Sequence, residues 1–161
     1  MSGAGSYQDE LDGRLDGSGA QVAVVAARFN GDFTGRMLES TLATLVRHGV
    51  DPEDIEVVRV PGAWELPQAV AAIAETGAVD VVVALGCVIR GDTPHFDFVA
   101  GEAARGLMDT ALASGVPVIL GLLTTETREQ AAERADPERQ DKGGEAALAA
   151  LEMAALFRTD G

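Results

Sequence analysis

The chain has 161 residues, a length that fits one domain with a full hydrophobic core. Its formal net charge of −14 argues against nucleic acid or an anionic membrane as a partner, because both bind through basic surfaces. Three features predict a cytoplasmic protein. The chain has a single cysteine and no secretory signal pattern. Its longest apolar runs have only about half the ~20 residues that a membrane span needs.

The predicted elements alternate between strands and helices. Residues 1–20, rich in Gly, Ser and Asp, predict a flexible arm, and residues 21–161 predict a single domain. Apolar runs predict strands over 21–28, 55–60, 79–89 and 115–123. Helical periods and capping signals predict helices over 33–48, 66–76, 95–114, 127–134 and 143–158. The order βαβαβαβαα predicts a three-layer α/β/α sandwich with a four-stranded parallel sheet, flavodoxin-like in class.

Residues 81–95, VVVALGCVIRGDTPH, form the most informative segment. The apolar run predicts a strand buried on both faces, and the loop after such a strand is where parallel sheets bind ligands. Arg90, Asp92, Thr93 and His95 lie in that loop and indicate an anion site beside a proton-transfer group. Asp92 or Thr93 could instead cap the next helix, with Pro94 in its first turn; capping and anion binding are compatible.

Two other strand ends carry unusual side chains. Phe29 follows the first strand, where an aromatic residue is more often part of the core. Trp64 and Glu65 follow the second strand, between two prolines, and fit either a helix start or a platform for a planar ligand. By contrast, His48 lies in the last turn of a predicted helix, and we assign it no role.

Several classes of site are excluded by spacing. Two distant histidines and one cysteine do not form a metal site, so no metal is expected. The chain has no glycine-rich dinucleotide or phosphate-loop motif and no serine nucleophile elbow.

Five segments in order nevertheless resemble one family, that of lumazine synthase, over residues 21–158. They are RFN at 28–30, PGAWELP at 61–67, GCVIRGDTPHFD at 86–97, LTTE at 123–126 and DKG at 141–143. The resemblance implies that 5-amino-6-(D-ribitylamino)uracil condenses with 3,4-dihydroxy-2-butanone 4-phosphate to 6,7-dimethyl-8-ribityllumazine, phosphate and water. It implies no cofactor.

The resemblance also implies residue roles. His95 would move protons, and Asp92, Thr93 and Arg134 would hold the butanone phosphate. The pyrimidine and its ribityl chain would be held by Phe29, Ala63, Trp64, Glu65, Cys87, Val88, Ile89, Leu120 and Lys142. Leu120 stands where many members have Phe, so the second aromatic face over the pyrimidine is expected to be weaker. Trp64 replaces a frequent Phe, and two alternatives stay open: its larger ring compensates, or it only packs.

Assembly is implied as well. Family pockets lie between neighbouring subunits of a pentamer, and some members close twelve pentamers into an icosahedral shell. The short connection 134–142 favours a shell, but its Asp136-Pro137-Glu138 is not the usual glycine-rich turn, so both states stay open. Riboflavin synthase is a candidate partner. The alternative to an enzyme is a non-catalytic flavin- or lumazine-binding module or a shell-forming scaffold on the same fold.

Overall fold

The computed structural model describes residues 15–158. The strands are β1 (Val22–Ala27), β2 (Ile55–Val60), β3 (Val81–Ile89) and β4 (Val118–Thr125). The α-helices are α1 (Gly31–Arg47), α2 (Leu66–Glu75), α3 (His95–Ser114), α4 (Arg128–Ala135) and α5 (Lys142–Phe157). Short 3₁₀ turns over Pro52–Asp54 and Ala63–Glu65 precede β2 and α2. None of the helices in this part of the chain has the length and apolar character to traverse a bilayer.

The four strands form one parallel sheet in the order β2-β1-β3-β4. Val22 of β1 lies opposite Ile55 on one side and Val81 on the other, so the three strands begin at the same level. Because all strands run in the same direction, their carboxyl ends share one edge of the sheet. The loops that carry the predicted site residues therefore start from that edge.

Both faces of the sheet are covered. All six residues of β1 are buried, and their side chains alternate between two hydrophobic clusters. On one face the sheet packs against α1, α4 and α5 through residues such as Met37 and Leu151. On the other face it packs against α2 and α3 through residues such as Leu66 and Leu107. The predicted three-layer α/β/α sandwich is confirmed.

Most predicted element bounds hold to within two or three residues. The capping box that opens α4 is confirmed, because Thr127 Oγ1 accepts from the Gln130 N–H and Gln130 Oε1 accepts from the Thr127 N–H. Strand β4 begins at Val118, three residues later than predicted. The reason is local: Gly115 ends α3 in the left-handed region with φ 75°, and Pro117 has no N–H to donate.

Residues 1–14 of the predicted arm lie outside the described residues. Residues 15–20 lie against the end of α1, where the Gly17 N–H donates to the His48 carbonyl at 2.7 Å. Ala20, at the end of this segment, is buried in the core. His48 itself is largely buried, and its Nδ1 lies 2.9 Å from the Thr44 carbonyl oxygen.

Helices α1 and α5 meet at a glycine. Gly143 is buried, and a Cβ at this position would collide with the Met37 carbonyl of α1. We expect Gly143→Ala to lower the free energy of unfolding by about 1–3 kcal/mol, because the two helices must move apart. Urea denaturation at fixed protein concentration measures the change.

The matched control is Gly35→Ala in α1, where a Cβ would meet nothing within 4 Å. Replacing this helical glycine should leave stability unchanged or raise it by up to about 1 kcal/mol. If Gly143→Ala is as stable as the parent chain, the close approach of α1 and α5 does not depend on the missing side chain.

Candidate active site

An open cavity of about 760 Å³ lies at the carboxyl edge of the sheet. It is lined by residues that follow β1, β2 and β3, and by the first two turns of α3. The predicted site residues along its wall are Phe29, Ala63, Trp64, Glu65, Cys87, Val88, Ile89, Thr93 and His95. Segments separated by up to 66 positions in the chain are thus brought to one cavity by the parallel topology.

Phe29 is a pocket residue and not a core residue. Its side chain is 70% exposed, although an aromatic residue after a buried strand is more often packed inside. The Phe29 N–H donates to the Pro61 carbonyl at 2.9 Å, which fixes the turn after β1 against the end of β2. The exposed ring therefore stands on a backbone that two strands hold in place.

The PGAWELP segment builds the second wall. Ala63 is buried and anchors the 3₁₀ turn, while Trp64 is 52% exposed. Glu65 is the N-cap residue of α2 and makes no side-chain capping hydrogen bond. The positive end of the helix dipole favours a carboxylate at this position, and its oxygens can accept hydrogen bonds from a ligand. The wall thus combines an aromatic surface with an acceptor.

Strand β3 supplies the third wall. Cys87 is buried, and desolvation raises the pKa of its thiol to about 11, with Arg128 acting weakly in the opposite direction. The thiol is accordingly neutral near pH 7 and is a poor nucleophile. Val88 and Ile89 are partly buried beside it. What this strand can offer a ligand is its peptide groups and apolar side chains.

His95 is the first residue of α3 and is solvent-exposed at the cavity. Its N–H lies 3.4 Å from Thr93 Oγ1, which is a weak contact. The predicted cap is wrong in detail: Pro94 is the N-cap residue, not a first-turn residue, and no side-chain capping bond forms. The Asp97 N–H in this first turn donates to the Pro94 carbonyl at 3.0 Å, whereas the weakly held His95 N–H remains available to an anion. Asp92, also predicted here, is exposed in the loop but does not line the cavity.

The guanidinium of Arg90 is already engaged. It pairs with Asp97 at 3.2 Å and with Glu126 at 2.9 Å, and it lies 4.4 Å from the centre of the Phe96 ring. The two carboxylates raise its pKa further. Arg90 thus links the loop after β3 to the loop after β4. An anion in the cavity would have to compete with two carboxylates for this side chain.

Three predicted residues lie elsewhere on the chain. Leu120, Arg134 and Lys142 line a separate cavity of about 320 Å³ between β4, α4 and α5. The Arg134 Nη1–H donates to the Gln130 carbonyl at 3.1 Å, and Lys142 Nζ lies 3.2 Å from Glu145. Leu120 is 58% exposed. A single chain therefore places the predicted site residues at two separate cavities, and we call each of them a candidate half-site.

The start of α5 holds Lys142 in place. Asp141 has the left-handed backbone conformation with φ 47°, and its carboxylate accepts from the Gly144 N–H. The Ser40 hydroxyl of α1 donates to the same carboxylate at 2.5 Å, and Thr41 Oγ1 donates to the Gly143 carbonyl at 2.8 Å. These contacts with α1 set the position from which Lys142 projects.

Some cavity residues were not predicted as site residues. Asn30, Phe96, Phe98 and Val99 line the larger cavity, and Glu145 lines the smaller one. Phe98 is 66% exposed, one helical turn beyond His95, and that spacing was the available signal. Among residues 15–158, no group of three or more His, Cys, Asp or Glu side chains could hold a metal ion.

The fold and the cavity define a flavodoxin-like α/β protein with a ligand-sized pocket at the carboxyl edge of its parallel sheet. The family model described as 6,7-dimethyl-8-ribityllumazine synthase matches residues 19–158, nearly the whole chain. The chain therefore belongs to the 6,7-dimethyl-8-ribityllumazine synthase family. Membership confirms the resemblance drawn from the five segments. It implies a role in riboflavin biosynthesis, within a family that is in general composed of transferases.

Proposed function

We propose that the chain condenses 5-amino-6-(D-ribitylamino)uracil with 3,4-dihydroxy-2-butanone 4-phosphate, forming 6,7-dimethyl-8-ribityllumazine with release of phosphate and water. The observation that carries this proposal is the position of His95 at a cavity whose other walls are an exposed phenylalanine, a Trp-Glu pair and the end of β3. Family membership adds independent support.

The larger cavity matches the pyrimidine substrate in chemistry. Phe29 offers an exposed ring on which the pyrimidine stacks. The Ala63–Glu65 turn holds the ribityl chain, with the Glu65 carboxylate accepting from hydroxyl groups. The peptide groups of Cys87, Val88 and Ile89 read the edge of the uracil ring, because a strand end offers N–H and C=O groups in fixed directions.

The reaction needs little beyond alignment and proton transfer. The 5-amino group attacks the ketone of the butanone substrate and forms an imine with loss of one water. Phosphate is then eliminated from carbon 4 of that substrate, which turns the carbon-3 alcohol into a ketone through its enol. The ribitylamino nitrogen attacks this ketone, and ring closure releases a second water. Holding two molecules together can contribute about 7–11 kcal/mol when a bimolecular step becomes effectively unimolecular. His95 takes up and returns protons during these steps, which typically adds about 10²–10⁴-fold. No metal or cofactor is assigned a step.

We also propose that each active site combines two chains. The larger cavity is lined by neither Arg nor Lys, yet the butanone substrate carries a phosphate. On a chain of net charge −14, a phosphate needs local cations. Arg134 and Lys142 lie in the other half-site, beside Leu120. A neighbouring copy that brings its smaller cavity against the larger one supplies Arg134 for the phosphate and Lys142 at the rim, while Asp92 and Thr93 approach the phosphate from the loop.

The direct test mixes the two substrates with the purified chain and follows the fluorescence of the lumazine product. Product formation well above the rate without protein supports the enzyme. Binding of the lumazine without turnover would instead favour the alternative of a binding module or a shell-forming scaffold. The proposed setting is the cytoplasm, with small molecules as ligands and riboflavin synthase as a candidate partner.

The assembly is expected to contain five chains or a multiple of five. Besides the divided site, α3 exposes Phe98, Met108 and Leu112, an apolar stripe that a neighbour would cover. Sedimentation at micromolar concentration measures the mass, and a mass of one or two chains would contradict the expectation. The same sedimentation experiment distinguishes a lone pentamer from a shell of twelve pentamers.

A further inference from the structure

Asn30 is the only asparagine in the chain and follows Phe29 directly. Its backbone is left-handed, with φ 57° and ψ 43°, and Asp141 is the one other non-glycine residue among the described positions with a positive φ. Asn and Asp adopt this conformation more readily than other side chains because their short polar groups form local hydrogen bonds. The turn between β1 and α1 thus uses one of few residue types that can form it.

The Asn30 side chain does not do what an asparagine before a helix usually does. An N-cap asparagine normally accepts a hydrogen bond from the second or third helical N–H. Asn30 is the N-cap residue of α1 but makes no such bond. Its Nδ2–H instead donates to the Cys87 carbonyl at 2.8 Å, 57 positions away. A carbonyl can only accept, so the donor must be the amide nitrogen, and an amino acid with an acceptor-only side chain cannot replace asparagine here.

This bond joins the Phe29 turn to the floor of the larger cavity. On one side, the Phe29 N–H binds the Pro61 carbonyl at 2.9 Å. On the other side, the Asn30 amide binds β3 at Cys87, the first of the three strand residues along the cavity wall. A ring that is 70% exposed gains little orientation from packing, so its direction follows from the backbone that carries it.

We propose that Asn30 is a positioning residue for the pyrimidine site, acting through Phe29. Its left-handed backbone and its bond to Cys87 hold the Phe29 ring at a fixed distance from β3, so that a ring stacked on Phe29 meets the peptide groups of Cys87–Ile89 in register. That the stacked ring is the pyrimidine rests on the proposed function. That Asn30 positions Phe29 rests only on the contacts described above.

The first test needs no ligand. In a Phe29→Trp/Trp64→Phe background the only tryptophan stands at position 29, because the parent chain has one tryptophan. Time-resolved fluorescence anisotropy then measures the amplitude of local motion of that ring. Asn30→Gly keeps access to the left-handed backbone but removes the amide, and Asn30→Asp keeps the shape but turns an acceptor toward the carbonyl. We expect both to raise the amplitude, and an unchanged amplitude in both would overturn the proposal.

The second test is kinetic. Asn30→Gly should raise KM for the pyrimidine by about tenfold, the upper range for loss of one part-buried hydrogen bond, because the Phe29 ring is no longer held in position. The values of kcat and of KM for the butanone phosphate should stay within about twofold. The control is Thr76→Ala, which removes another side-chain bond to a carbonyl, from Thr76 Oγ1 to Ile73 at 2.7 Å, at the end of α2 away from the cavity. It should change none of the three constants.

A double-mutant cycle separates positioning from direct binding. If Asn30 acts through Phe29, then Asn30→Gly should weaken binding of 6,7-dimethyl-8-ribityllumazine in the parent chain but have little further effect in a Phe29→Ala background, as calorimetry can measure. Equal losses in both backgrounds would make Asn30 a direct ligand and overturn the proposal. If the parent chain neither binds the lumazine nor converts the two substrates, the proposed function is wrong. The anisotropy result still decides whether Asn30 positions Phe29.

Discussion

His95→Ala is expected to lower kcat by about 10²–10⁴-fold while leaving pyrimidine affinity nearly unchanged, because in the proposed mechanism the ring transfers protons and does not hold the substrate. His95 stands at the start of α3, exposed to the larger cavity. Steady-state kinetics with both substrates, together with calorimetric titration of the pyrimidine, measures the two effects separately. The split between rate and affinity is what identifies proton transfer.

The control for His95→Ala is His48→Ala, which removes the other histidine of the chain. His48 is largely buried at the end of α1 and does not line the larger cavity. Its replacement should affect stability and not kcat. Comparable losses of rate and affinity in His95→Ala would instead make His95 a binding residue.

Arg134→Ala is expected to raise KM for the butanone phosphate selectively, by about ten- to a hundredfold, since a hydrogen bond to a charged group contributes about 1.5–3 kcal/mol. Arg134→Lys should restore only part of the loss, because an ammonium cannot bind phosphate in the bidentate manner of a guanidinium. Inorganic phosphate should compete with the butanone substrate in the parent chain and compete poorly in Arg134→Ala.

The matched control is Arg139→Ala, which removes another arginine of the same region. Arg139 is exposed and pairs with Glu133 at 3.4 Å, outside the smaller cavity. If phosphate inhibits the parent chain and Arg134→Ala equally, Arg134 is not the phosphate ligand. The anion would then belong to the loop after β3, where Arg90 must first leave Asp97 or Glu126.

Mixing these two impaired variants tests the divided site, at a butanone phosphate concentration so low that each variant alone has little activity. In oligomers assembled from His95→Ala and Arg134→Ala chains, some interfaces pair an intact His95 with an intact Arg134 of the neighbour, and activity should return. If both residues served a site within one chain, no site in the mixture would contain both. Renatured mixtures that are no more active than the separate variants, despite normal assembly by sedimentation, would contradict the proposal that neighbouring chains share each site.

Local pattern was enough to predict the fold class and most elements. Helix α3 was predicted at its observed bounds because its start follows a Pro and its end meets Gly115, whose left-handed backbone a glycine readily adopts. The strands were predicted because apolar runs of this length, between glycines and helical periods, match strands covered on both sides. Helix ends and buried strands of this kind depend on residues that are close together along the chain, so they can be predicted from the sequence.

The tertiary structure alone decided which side chains meet. The Asn30 side chain reaches the backbone carbonyl of Cys87 because β1 and β3 are neighbours in the order β2-β1-β3-β4, and no local pattern encodes that strand order. Likewise, Arg90 is engaged by Glu126, Phe29 is exposed, and Arg134 and Lys142 lie in a cavity separate from that of His95. The sequence by itself determined which segments are helices or strands and which of their faces are buried. Secondary-structure propensity and hydrophobic periodicity depend only on residues that are close together in the chain. The set of residues that line each cavity followed only from the packing of strands and helices that are distant in the chain.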